Sequence, residues 1–194
     1  PLMTTKNPHP DLPEENYDFS SSSTPSFLEF LQLFNISIAV TSYDCQRLIV
    51  LRQQRDQLDT LLVPAARPRG MAIHGNKLTL ATYTEIINYY RQNPPFSSGI
   101  EDMDADADAL FLPRNSHITG DINVHDVAWG EGGLWLVNSR FSCICTLQPN
   151  LSFKPRWWPM FLEGPTGNGV AHLNCMAMQD GLPAYATCFG PFTT

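Results

Sequence analysis

The sequence predicts an all-β fold, an incomplete β-propeller of about four partial blades with a short N-terminal helix. Three observations predict it. The first is one short pattern that occurs three times, in Arg69–Thr82, His125–Asn138 and Asn174–Thr187. Each copy reads as a strand, a Gly/Asn/Asp turn and a second strand ending in Thr or Asn. The second is spacing. Thr41, Thr82, Asn138 and Thr187 hold the same place at a strand end, separated by 41, 56 and 49 residues, close to the ~40–50 residues of a four-stranded blade. The third is the material between copies, short β-branched and aromatic runs bounded by turn formers.

The elements follow in order. Residues 1–25 are rich in Pro, Ser, Asn and acids and end in a serine run before Thr24-Pro25. Such a composition buries too little apolar surface to order itself, so it predicts a disordered tail ahead of a domain over 26–194. Ser26–Phe34 has apolar residues at helical spacing after a Thr-Pro-Ser entry and predicts one short helix. Ser37–Tyr43 and Gln46–Leu51 predict a hairpin, Arg52–Asp59 a polar turn, and Leu61–Val63 a short outer strand. Pro64–Pro68 leads into the first copy. Glu85–Tyr90 and Ser142–Leu147 predict the strands that follow the first two copies. The longest interval holds an acidic insertion, Glu101–Asp108. The chain begins late in one blade and ends just after a strand. Its open blade edges predict either a piece of a longer propeller or self-association with another chain.

Composition narrows the function classes. The 194 residues suffice for one domain with a core. The net charge is −7 and the charged fraction only 16%. No basic patch attracts nucleic acid or an anionic membrane, and no run approaches the ~20 apolar residues of a membrane span. Pro1–Thr4 shows no signal-peptide pattern. Five cysteines, an odd count without a spacing framework, predict reduced thiols and a cytoplasmic location.

Two motifs are distinctive: Thr119–Trp129, with Thr-Gly-Asp and then His-Asp, and Gly133–Leu147, containing Leu-Trp-Leu-Val-Asn-Ser-Arg-Phe-Ser-Cys. With Ser152–Trp157 and His172-Leu173-Asn174, they resemble an uncharacterised bacterial propeller-like family of unknown function over residues 27–190. The resemblance implies a propeller, longer relatives with further repeats, and no activity to transfer. The chain departs from it at Gly164–Ala171, where the family tends to carry an acid, an Arg and a Cys. If those polar residues belong to a site, part of it is missing here.

Candidate site residues sit at the repeat starts, because innermost strands of a propeller begin beside a common funnel. Arg69, His125, Asp126, His172 and Asn174 are the first set; Asn138 and Arg140, at the end of the second copy, are the next. Packing against neighbouring backbone is the leading reading of these side chains. An Arg/His site for an anionic small molecule is second, and a His/Asp/Asn site for a divalent metal third. Thr41, Thr82, Asn138 and Thr187 read as caps for free backbone groups, and Arg140 as the partner of a nearby acid.

Other motifs read as structure. Cys143 and Cys145 share one face of a strand without a second ligand pair and read as buried thiols. The acidic insertion fails as a calcium loop. Counted from Asp104, the glycine and glutamate places hold Ala109 and Asn115. Gly164–Gly169 lacks the Lys of a phosphate loop. Trp157 and Trp158 read as packing between blades.

The function expected is therefore a noncatalytic binding or scaffold module with a small-molecule or protein partner and no assignable cofactor. The alternative is a propeller enzyme acting on a small molecule, with His125 as general acid/base and Asp126 orienting it, or both binding a metal. A truncated product without independent function is a third expectation.

Overall fold

A computed structural model describes residues 18–96 and 107–190. The expected tail therefore lies outside the described residues up to residue 17, as do residues 101–106 of the acidic insertion and the last four residues. The described residues form two compact units that divide between Pro68 and Arg69. Their strands build four antiparallel sheets, and the fold class is all-β with one short helix.

The first unit opens with helix α1, Pro25–Phe34. Thr24 caps it by accepting from the Phe27 amide at 3.3 Å, and Pro25 takes the first turn, where no amide is needed. Asn35 ends it in the left-handed region at φ 48° and donates its backbone N–H to the Gln32 carbonyl. Leu31 is the helix's buried residue, and Leu48 is buried on the strand the helix meets. That strand is β2, Arg47–Gln54, between β1, Ile38–Ser42, and β3, Gln57–Pro64.

The sequence placed a polar turn over Arg52–Asp59, but the structure confines it to Arg55 and Asp56, with φ of 49° and 61°. The strands run on because β1 reaches only as far as Leu51. Beyond it β2 and β3 form a two-strand ribbon that tolerates polar side chains, and Arg52 pairs with Asp59 directly opposite.

The second unit holds three sheets. The first runs β4, Met71–His74; β5, Lys77–Ala81; β6, Glu85–Gln92; and β7, Leu110–Ile118. The next runs β8, Val124–Gly130; β9, Gly133–Asn138; β10, Cys143–Gln148; and β11, Leu151–Trp157. The last is the pair β12, Met176–Gln179, and β13, Leu182–Ala186. Each sequence repeat is thus the first hairpin of a sheet. Strand β7, unread from the sequence, lies at a sheet edge. There Pro113 costs no ladder bond, and the register shifts between Asn88 and Tyr89 opposite it.

Residues Leu78–Ala81 of β5 and Cys143–Thr146 of β10 are buried consecutively. Neighbouring side chains on a strand point to opposite faces, so these strands are covered on both sides. The core joins Ile86, Ile122, Val124, Val127, Leu134, Leu136, Cys143 and Cys145, with Trp158 packed against it. Trp157 is 44% exposed, so only one of the two expected Trp rings packs inward.

The capping expectation for the strand ends is met in three copies. Thr82 Oγ1 donates to the Glu85 carbonyl at 2.9 Å. Asn138 Oδ1 accepts from the Phe141 amide at 3.0 Å, and Thr187 Oγ1 from the Cys175 amide at 3.1 Å.

The first strands of the three sheets run side by side, β4 beside β8 and β8 beside β12. Two glycines permit this. A Cβ on Gly70 would lie 2.9 Å from the backbone of Asp126 and Val127, and one on Gly130 would strike the Gly181 carbonyl. Gly130→Ala is therefore expected to destabilise the chain by about 1–3 kcal/mol. Gly164→Ala, in open space, should stay within about 0.5 kcal/mol. Chemical denaturation of the two variants checks the difference.

Candidate functional site

The entry segments of the first strands bring four of the expected site residues together. Arg69 precedes β4, His125 is the second residue of β8, and His172 and Asn174 precede β12. Arg69 Nη1 donates to His125 Nε2. His125 Nδ1 lies 2.9 Å from Asn174 Oδ1. The His172 ring stands edge-on to the His125 ring, 5.0 Å between centroids and 85° between planes.

These contacts assign the proton on His125. A guanidinium has only donors, so Nε2 must accept. The ring's one hydrogen then sits on Nδ1 and donates to the Asn174 carbonyl oxygen. His125 is accordingly a neutral imidazole, and its pKa lies below the ordinary value. Burial comes first among the causes, and the Arg69 and His172 charges add to it, against the Asn174 hydrogen bond that favours the cation.

His172 is held by its backbone. It sits in the left-handed region at φ 40°, and its amide donates to the Gly169 carbonyl at 3.0 Å. Few non-glycine residues take that conformation. The side chain is exposed, and Phe189 stacks on it at 5.5 Å and 19°. Among the described residues, the His172 ring nitrogens make no hydrogen bond. Phe189 was not foreseen, since nothing in its local sequence marks it.

Three further candidates have structural partners. Asp126 does not orient His125. Its Oδ1 accepts from the Val127 amide at 2.9 Å and its Oδ2 from the Met176 amide at 3.0 Å. Both carboxylate oxygens are taken by these amides, and a register shift between Val124 and Asp126 makes His125 the extra residue of a bulge. Asn174 takes the orienting position instead. Asn138 is fully buried in the turn that it caps. Arg140 is paired with Asp121, the role its neighbours suggested.

Cys143 and Cys145 are buried, and the hydrogen bond with the neighbouring Cys143 thiol, followed by burial, pushes the Cys145 pKa well up. No three His, Cys, Asp or Glu side chains gather as metal ligands among the described residues. No helix there is long and apolar enough to cross a membrane.

Residues 25–193 match the family model described as a domain of unknown function, DUF4915. The chain belongs to this family. No curated protein and no solved structure matches this DUF4915 chain.

Two outcomes are expected. The lowered His125 pKa means that the unfolded chain binds its proton first. The stability from neutral His125 is complete above the free imidazole value of about 6.5 and is lost as the pH falls below it towards the folded value. His125→Gln should remove that share of the pH dependence in thermal melts. Asp126→Ala strands the Met176 amide and should cost about 1–3 kcal/mol at neutral pH, measured by denaturation.

Proposed function

We propose that the chain is a propeller-type binding module that takes a small oxyanion, carboxylate or phosphate-like, at the Arg69–His125–His172–Asn174 cluster. The observation that carries the reading is the Arg69 guanidinium half-buried against a neutral imidazole. An arginine in such a place has only donors to offer, and oxyanions match its fork. The exposed His172 ring, edge-on to His125, offers a second donor.

The propeller architecture is part of the same reading. Each full sheet of the second unit is a sequential antiparallel meander whose first strand lies against the first strand of the next sheet. The end of β9 pairs with both the start of β8 and the start of β10. The entry segments and the second hairpin turns therefore share one end of a sheet, where the funnel of a propeller opens. The odd cysteine count supports a reducing, cytoplasmic setting. The exposed Leu182 and Tyr185 on β13 support self-association along that edge.

An enzymatic reading keeps one supporting observation, the meeting of His125, His172 and Arg69. Against it, both His125 nitrogens are engaged and the Asp126 carboxylate is committed to backbone amides.

Calorimetric titration of the full chain with sulfate, inorganic phosphate and acetate tests the reading. At least one anion is expected to bind saturably at one site. Arg69→Gln should weaken it by about 10–100-fold, the worth of a charged hydrogen bond. No heat and no thermal shift with any of the three would remove the reading. Turnover of a small ester or phosphoester, abolished by His125→Ala, would replace it with the enzymatic one.

A further inference from the structure

Resting on the anion reading above, we propose that this site binds its oxyanion together with one proton, which lodges on Nε2 of His125. Geometry carries the inference. In the observed arrangement Nε2 is an acceptor because Arg69 donates to it. An oxyanion that engages the guanidinium through its fork draws that donor away. The Nε2 lone pair is then left without a donor in a half-buried position. Taking a proton from solvent turns the atom into a donor aimed at the anion, and the anion supplies the countercharge.

Nδ1 need not change. Its hydrogen continues to donate to Asn174 Oδ1, an acceptor that serves the neutral ring and favours the imidazolium. The groups facing His125 fit this. From the segment before β4 comes Arg69, whose charge the ligand offsets. From the segment before β12 come His172, edge-on, and the neutral Asn174. On its own strand Asp126 is held by the Val127 and Met176 amides and gives no carboxylate to the ring. Among the described residues no carboxylate contacts the His125 ring, so the proton and the anion favour each other's binding.

Sulfate is the decisive probe, because it keeps its double charge across the pH range in which imidazole titrates. The full chain is titrated with sodium sulfate at constant ionic strength from about pH 5 to pH 8.5. At each pH two buffers of different ionisation heat are used. Acetate, run in parallel above about pH 6, separates a planar carboxylate preference from a tetrahedral one.

Uptake is expected to approach one proton per bound sulfate near neutral pH. Affinity should fall by up to tenfold per pH unit between the free and the bound His125 pKa. His125→Gln offers an acceptor for Arg69 but cannot ionise. It should bind without proton uptake and without that pH dependence, while His172→Gln keeps the uptake. Imidazole nitrogen shifts in the unaltered chain give an independent readout. Sulfate should convert His125 Nε2 from an acceptor to a protonated nitrogen.

Binding with no uptake at any pH, or uptake that survives His125→Gln, overturns the proton inference and leaves the anion site standing. No binding of sulfate, inorganic phosphate or acetate at any pH overturns both.

Discussion

Strands that open neighbouring sheets can run side by side only if their backbones approach closely and their polar groups still find partners. In the second unit of this chain both conditions meet at Asp126. Its two carboxylate oxygens take the amides of Val127 on its own strand and Met176 on the next, so one side chain fixes β8 against β12. On the other side Gly70 lets the chain entering β4 pass against the same backbone. At the far end Gly130 lies under Gly181, whose carbonyl accepts from the Glu131 amide at 2.7 Å. Filling either glycine, or withdrawing the carboxylate, would separate the strands whose entries carry the candidate site.

The candidate site is a consequence of that spacing. Arg69, His125 and Asn174 come from three separate sheet entries, and the pairwise hydrogen bonds between them exist because the strands are held at one separation. The imidazole between a guanidinium and an amide has a single consistent protonation state. A loosely held histidine would be free to exchange tautomers. This one is fixed by its contacts to Arg69 and Asn174.

Much of the architecture was legible in the sequence. The three repeated hairpins, the helix after Thr24 and the caps at Thr82, Asn138 and Thr187 follow from local rules that act within a few residues. The misreadings came where a local rule met a neighbouring strand. Arg52–Asp59 looked like a turn because it is polar, but it is mostly ladder because β1 ends early and leaves its faces to water. Strand β7 carries a proline and polar residues that only an edge position excuses.

By itself the sequence determined the all-β class, the order of the hairpins and the list from which the candidate site is drawn, because strand alternation, turn chemistry and repeat spacing are properties of the chain. Tertiary structure alone decided which residues on that list meet. Asn174 rather than Asp126 holds His125, since the Asp126 carboxylate is taken by backbone amides and a residue 49 positions distant can still supply the partner. It also decided that Asn138 is buried and that Phe189 stacks on His172. Those outcomes depend on distances between sheets, which no local pattern encodes.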